Sequence, residues 1–269
     1  VSVGMTFVIG GGGIDLSVGA IVALSSVWAT TLATQTMAAD THWIIMVFTA
    51  LTVGAACGLV NGALIAYGRV APFIATLAML AAARGLAEII AQRRTQIVTS
   101  RDFIDFFGGS VLGVPVLVLI FALVAVIGWI LLNRTTFGRR TLAVGGNPEA
   151  ARLAGIKVQR QTMYLYILLG LACGLAAVMI MARTTTGTST HGQLYELDAI
   201  AAVVIGGTLL SGGRATIVGT VFGVLIFTTL TNVFTLNNLD TSTQAVAKGI
   251  IIVAAVLLQQ RVASRRRAP

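Results

Sequence analysis

The sequence predicts an all-α, polytopic transmembrane bundle of about nine or ten helices, some of them short or discontinuous. Three observations predict it. Hydrophobic residues make up 57% of the chain and charged residues 10%, against roughly 45–50% and about 25% in soluble globular proteins. So few charges cannot cover a surface facing water, but they suit one facing lipid. Apolar runs approaching the roughly 20 residues that cross a bilayer core recur along the whole length. Many of the thirty glycines are dispersed through those runs, and only four prolines are present, so the chain is not rich in linkers. Residues 1–269 read as a single transmembrane domain.

The elements follow in order. Residues 1–13 form the end of an apolar run. Because the chain opens inside it with Val1, a further N-terminal helix is expected upstream. Residues 10–13 are four glycines, each costing a helix about 1 kcal/mol relative to alanine, so the helix should break there. Asp15 then stands where an N-cap belongs, opening a helix over 16–37. Further spans are expected over 43–67, 73–91, 115–132, 163–182, 217–234 and 245–258, with a shorter run over 199–210. Small residues at four-residue spacing put Gly54, Gly58 and Gly62 on one helix face, as they do Gly170 with Gly174 and Gly219 with Gly223. Such faces let helix backbones approach closely.

The net charge of +9 is concentrated. Residues 134–160 hold six basic side chains against Glu149 alone, and the 261–269 tail adds four arginines; the two segments account for the whole excess. A nucleic-acid binder would need a soluble fold to present such charge. The positive-inside tendency instead places both segments in the cytoplasm, and the two agree only if the short 199–210 run crosses. Parity then puts residues 93–114 and 183–196 outside. Cys57 and Cys173 lie in apolar runs without metal-ligand spacing and read as buried small hydrophobes.

The chemistry-bearing segments are few. A broken helix at Gly12, Gly13 and Asp15 is a device transporters place near their substrate path, although capping a buried helix start accounts for Asp15 as well. Asn147 fits an N-cap, Pro148 the first helical position and Glu149 the first turn, which predicts a short helix from Pro148 to about Leu153. Arg84 and Glu88, four apart, are placed to pair on one helix face. Charges inside a membrane are functional candidates, while snorkelling from the outer end is the plainer alternative. Glu196 and Asp198 precede a short helix and suit its positive end. Asn61, Asn232 and the threonines of 184–190 offer hydrogen bonds to a polar solute, or between helices. His42 and His191 are isolated, expected outside and solvated. No phosphate-binding loop is present: Gly212-Gly213-Arg214 lacks its lysine and spacing. No metal or catalytic spacing stands out.

Several stretches together resemble a family. Gly4-Met5-Thr6-Phe7-Val8-Ile9, then Gly12-Gly13-Ile14-Asp15-Leu16-Ser17-Val18-Gly19, Asn61-Gly62 and Pro72-Phe73-Ile74-Ala75-Thr76-Leu77 look like the permeases of ribose-type monosaccharide importers. The likeness is strongest at residues 145–156, Gly-Gly-Asn-Pro-Glu-Ala-Ala-Arg-Leu-Ala-Gly-Ile, and at 196–207. Leu210-Ser211-Gly212-Gly213-Arg214 and Lys248-Gly249 also fit. The resemblance implies a bacterial inner-membrane permease that binds no cofactor itself. It implies a second permease subunit (a copy or a paralogue), a cytoplasmic ABC ATPase that uses ATP and Mg, an extracytoplasmic sugar-binding protein, and no nucleic acid. It assigns Asn147, Pro148, Glu149, Ala150, Arg152 and Leu153 to ATPase coupling, within a cytoplasmic coupling loop at 134–160. A basic loop held at lipid headgroups is the alternative there. Candidates for the translocation pathway are Asp15, Ser17, Asn61, Phe73, Arg84, Glu88 and Asn232. Ribose-like pentoses are the first expected substrate and galactose-like hexoses the second. The rival functions are an ion-coupled secondary transporter, which would lean on Asp15 and Glu88, and a membrane enzyme acting on lipid-linked sugar, for which no acidic cluster exists.

Overall fold

The computed structural model describes residues 1–265 and is helical apart from two short ribbons. The helices are α1 (Ser2–Gly10), α2 (Val18–Ala29), α3 (Leu32–Asp40), α4 (Ile44–Ala66), α5 (Pro72–Ala91), α6 (Arg101–Gly108), α7 (Val116–Arg134), α8 (Thr136–Gly146), α9 (Pro148–Leu153), α10 (Val158–Thr184), α11 (Tyr195–Ile205), α12 (Ile217–Leu236) and α13 (Thr241–Arg265). β1 (Gln96–Ile97) pairs antiparallel with β4 (Thr186–Gly187), and β2 (Ser110–Val111) with β3 (Val114–Pro115). Of the basic tail expected over 261–269, residues 266–269 lie outside the described residues.

Each apolar run forms helix. Among the described residues, α4, α5, α7, α10 and α12 are long and apolar enough to cross a membrane, and α2 with α3 makes a sixth span bent by 55°. The single helix expected over 16–37 is therefore two. Thr30 and Thr31 cause the break: Thr30 Oγ1 donates to the Ser26 and Val27 carbonyls, and Thr31 Oγ1 caps α3 by accepting from the Thr34 N–H. Threonine hydroxyls that take over backbone partners in this way end or bend helices.

The core forms around α2, which is apolar on every side and buried along its length except at Trp28. Such a helix belongs at the centre of a bundle. By contrast α7 fully buries only Gly128 and Leu132, half-buries a face that includes Ile120, Val124 and Trp129, and exposes the rest. The longest seam runs between α4 and α10, where the predicted glycine faces meet. A methyl group on Gly54 would sit 2.8 Å from the Gly174 nitrogen, and one on Gly170 would sit 3.0 Å from the Gly58 Cα. Those distances leave no room for any side chain, so the two backbones pack directly. Gly223 meets Ala202 of α11 in the same manner.

Two helices lay hidden in segments read as connections. α6 buries Phe103 and Phe107 and turns Arg101, Asp102 and Asp105 away from the core. Its aromatic side packs on Trp43, with ring centroids 5.0 Å apart at Phe106 and 5.7 Å at Phe107. This is the pattern of a helix lying in a membrane interface. α8 fills 11 residues of the basic segment and is tied to α10 by Gln161 Nε2, which donates to Thr141 Oγ1 at 2.8 Å.

The short 199–210 run forms α11, beginning earlier, at Tyr195. Its 11 residues span about 17 Å, roughly half the hydrocarbon thickness. The segment before it makes up the difference. Gly187 lies against Thr30 and Ser26 at the last turn of α2, His191 Nδ1 is 3.1 Å from Ser26 Oγ, and Gly192 abuts Gly19 at the first turn. Residues 187–192 thus descend along α2, and α11 continues to the opposite end of the bundle. We call these the ribbon end, at β1 and β4, and the α9 end.

Candidate functional site

The glycine stretch does end α1, at Gly10, and α2 does not resume until Val18. Between them Asp15, 1% exposed, anchors a polar knot. Its Oδ1 accepts from the Ser17 N–H at 2.7 Å and from Ser17 Oγ at 2.6 Å, and Asn61 Nδ2 of α4 donates to its Oδ2 at 3.3 Å and to Ser17 Oγ at 3.0 Å. Tyr166 of α10 donates its hydroxyl to the Ile14 carbonyl at 3.1 Å. Three predicted residues therefore meet: Asp15 and Ser17, two apart, and Asn61, 44 or more residues further on. The geometry corrects one detail: the cap position of α2 is Ser17, so Asp15 binds the turn before the helix rather than the helix itself. A carboxylate satisfied by this many donors holds a broken helix together. Gly12, with φ of +83°, adopts the left-handed backbone that glycine alone takes without strain.

Arg84 and Glu88 do not pair. Arg84 reaches across to the descending segment and donates to the Ser189 and His191 carbonyls. Glu88 instead meets Arg93 at 3.5 Å on the surface, in an open cleft of about 530 Å³ lined also by Gly85, Ile89 and Gln92. Two unsatisfied carbonyls attract a guanidinium more strongly than does one exposed carboxylate. His191, expected to be solvated, is buried, with its ring between Ser26 and Thr184. Glu196 sits within the first turn of α11 near Arg84, and its Oε2 has no hydrogen-bond partner among the described residues. Asp198, also in that first turn, pairs at 2.9 Å with Lys248 of α13. Fifty residues separate that pair, and no local pattern signals it.

At the α9 end the expectation and the structure coincide residue by residue. Asn147 Oδ1 accepts from the Ala150 N–H at 3.0 Å, Pro148 opens the helix, and Leu153 closes it. Glu149 and Arg152 pair at 3.0 Å on its exposed face, Ala150 is exposed beside them, and Leu153 is 84% exposed. Only Ala151 is buried. Leu153 on this short capped helix therefore takes no part in the core. Of the other candidates, Phe73 is exposed on α5 and Asn232 on α12, and neither joins the knot. Both cysteines are free and buried. Among the described residues no three His, Cys, Asp or Glu side chains gather in a metal-binding group.

Comparison with known proteins adds a family. Residues 1–256 match the model described as "Branched-chain amino acid transport system / permease component". The chain is similar to the ribose import permease protein RbsC of Bacillus subtilis (strain 168), 46% identical over 97% of this chain and 80% of that relative. It is similar also to the L-arabinose ABC transporter permease protein AraH of Azospirillum brasilense, 40% identical over 100% and 78%. The D-allose transport system permease protein AlsC of Escherichia coli (strain K12) is 36% identical over 97% and 79%. No solved structure gives a significant match.

Proposed function

This chain belongs to the branched-chain amino acid transport system / permease component family, and on that premise we propose that it is the permease of an ATP-driven importer of monosaccharides, first among them ribose-like pentoses. The likeness to a ribose import permease over 97% of the chain is the observation that carries the reading. An L-arabinose permease and a D-allose permease are similar at 40% and 36% identity, so aldoses form the substrate class, with galactose-like hexoses next.

In this reading the α9 end faces the cytoplasm. α9 presents Glu149, Ala150, Arg152 and Leu153 to a cytoplasmic ABC ATPase, which holds the ATP and Mg, and an extracytoplasmic binding protein delivers the sugar to the ribbon end. Substrate passes between two permease subunits, with Phe73, Arg84, Glu88 and Asn232 as pathway candidates and Asp15, Ser17 and Asn61 holding the broken helix behind them. Ion-coupled transport is less well supported. Asp15 is buried with both oxygens engaged, and Glu88 sits in a surface cleft, so neither is placed to alternate between two sides.

Purification in mild detergent followed by mass spectrometry tests this: an ABC ATPase should accompany the chain, and its consistent absence would refute the reading. Glu149→Arg and Arg152→Glu each reverse one charge on the exposed face of α9. Sugar uptake should fall at least about tenfold, a change of about 1.4 kcal/mol in coupling, while the detergent-solubilised permease stays monodisperse. Undiminished uptake in both variants would remove the docking role.

A further inference from the structure

Three segments far apart in sequence meet next to α9 in direct glycine backbone contact. The Gly213 N–H donates to the Gly10 carbonyl at 3.0 Å. A methyl group built on Gly145, the last but one residue of α8, would overlap that same Gly10 carbonyl and lie 2.7 Å from the Gly213 nitrogen. One on Gly212 would lie 2.6 Å from the Gly145 carbonyl oxygen and 2.9 Å from the Gly12 Cα, and one on Gly213 would lie 2.8 Å from the Gly146 Cα. Gly12, Gly212 and Gly213 also hold positive φ. The break between α1 and α2, the turn between α11 and α12, and the C-terminus of α8 are thus pressed backbone to backbone at Gly145, Gly212 and Gly213, with Ala215 packed beside them on Gly10.

We infer that this glycine junction is the joint that passes movement of α9 to both discontinuous elements of the bundle, and that Gly145 is its central positioning residue. The inference rests on α9 being the ATPase contact. Asn147 ends α8 and caps α9 at once, so a displacement of α9 reaches Gly145 and Gly146 within two residues. Gly145 touches Gly10 on one side and Gly213 on the other, and packed backbone transmits a shift because it cannot deform locally. α8 adds a second link to α1 through Phe137, whose ring lies 6.0 Å from that of Phe7. Through Gly10 the shift reaches the Asp15 knot, and through Gly213 it reaches α11, whose far end begins where the descending segment stops. One joint thereby connects the α9 end with the Arg84-held segment at the ribbon end.

Gly145→Ala tests the joint, with Gly146→Ala as its partner. A methyl group on Gly146 finds only ordinary contact, 3.7 Å from the Gly213 Cα, so the two variants share chemistry and helix position but not the clash. With the ATPase bound and hydrolysing ATP, Gly145→Ala should lower sugar transported per ATP at least tenfold, and Gly146→Ala less than twofold. ATPase bound to a Gly145→Ala permease that transports at the normal ratio overturns this inference and leaves the docking role intact. An unmodified chain that binds no ATPase overturns both. If Gly145→Ala does not accumulate, spin labels at the exposed positions Arg140→Cys and Leu210→Cys decide the matter. Their separation should stay constant within about 2 Å, the scale of a packed-helix shift, between nucleotide-free and ATP-trapped complexes. A larger change means that α8 slides past the turn, and the joint does not exist.

Discussion

The two ends of this bundle are fastened in opposite ways. At the ribbon end side chains do the fastening. Arg84 holds the descending segment by two carbonyls, the Gln96 side-chain amide lies 2.7 Å from Thr30 Oγ1, and Gln35 spans three partners, donating to the Thr30 and Ile97 carbonyls while accepting from Thr99. At the α9 end glycine backbones touch directly, and side-chain ties such as Gln161 to Thr141 only flank that contact. Side-chain bonds can open one at a time, each at a net cost near 1 kcal/mol. A backbone contact has no partial state, because any added atom overlaps. In the proposed reading, the first arrangement suits the end that receives the sugar, and the second the end that answers the ATPase.

The largest effect should come from Gly213→Val, which combines a positive φ of 78° with a neighbour 2.8 Å from the new Cβ. Left-handed backbone costs a branched residue about 1–2 kcal/mol and overpacking a further 1–3 kcal/mol. The variant should lose most of its monodisperse peak in detergent chromatography. A profile like that of the unmodified protein would show the α9 end to be as forgiving as the other, and the contrast would vanish.

Arg84→Ala comes next. It removes two charge-assisted bonds, worth about 1.5–3 kcal/mol together when half exposed. Hydrogen exchange over residues 186–194 should accelerate about tenfold or more, with exchange in α8 unchanged. Arg84→Lys should recover only part of that protection, since a single ammonium cannot reproduce the fork of a guanidinium. Equal acceleration at both ends would mean that the fastenings are not separate.

How much of this was legible in the sequence follows from the range of each interaction. The spans showed because 20 apolar residues have no soluble alternative, and the glycine faces of α4 and α10 because four-residue spacing fixes a helix face, although nothing local said that those two faces meet. α9 was readable to the residue, since Asn147, Pro148 and Glu149 act only on their immediate neighbours. α6 escaped because eight residues are fewer than a span, and α8 because its arginines masked a helix within a charged segment. The bend at Thr30 depends on hydroxyl bonds that composition does not reveal. The Arg84 carbonyl partners lie 105 and 107 residues away, and the nearer Glu88 drew attention instead. The glycine junction shows the limit most plainly. Gly10, Gly145 and Gly213 each stood in a conspicuous run, but nothing local says that the three runs meet.

The smallest expected effect sharpens the comparison where the backbone joint hands over to a side chain. Asn147 is the residue whose side chain joins the end of α8 to the first turn of α9, its Oδ1 accepting from the Ala150 N–H. Asn147→Ala should cost about 1 kcal/mol, confined to the first turn of α9, because Pro148 still presets the helical φ. Exchange at the Ala150 and Ala151 amides should rise about fivefold while the Gly213 amide, donated to Gly10, stays protected. If the Gly213 amide loosens in step, the cap and the joint are one cooperative unit, and α9 is clamped by its side chain as much as by the glycines behind it. If it does not, the hinge of this permease is bare backbone, and the cap only shapes the handle that turns it.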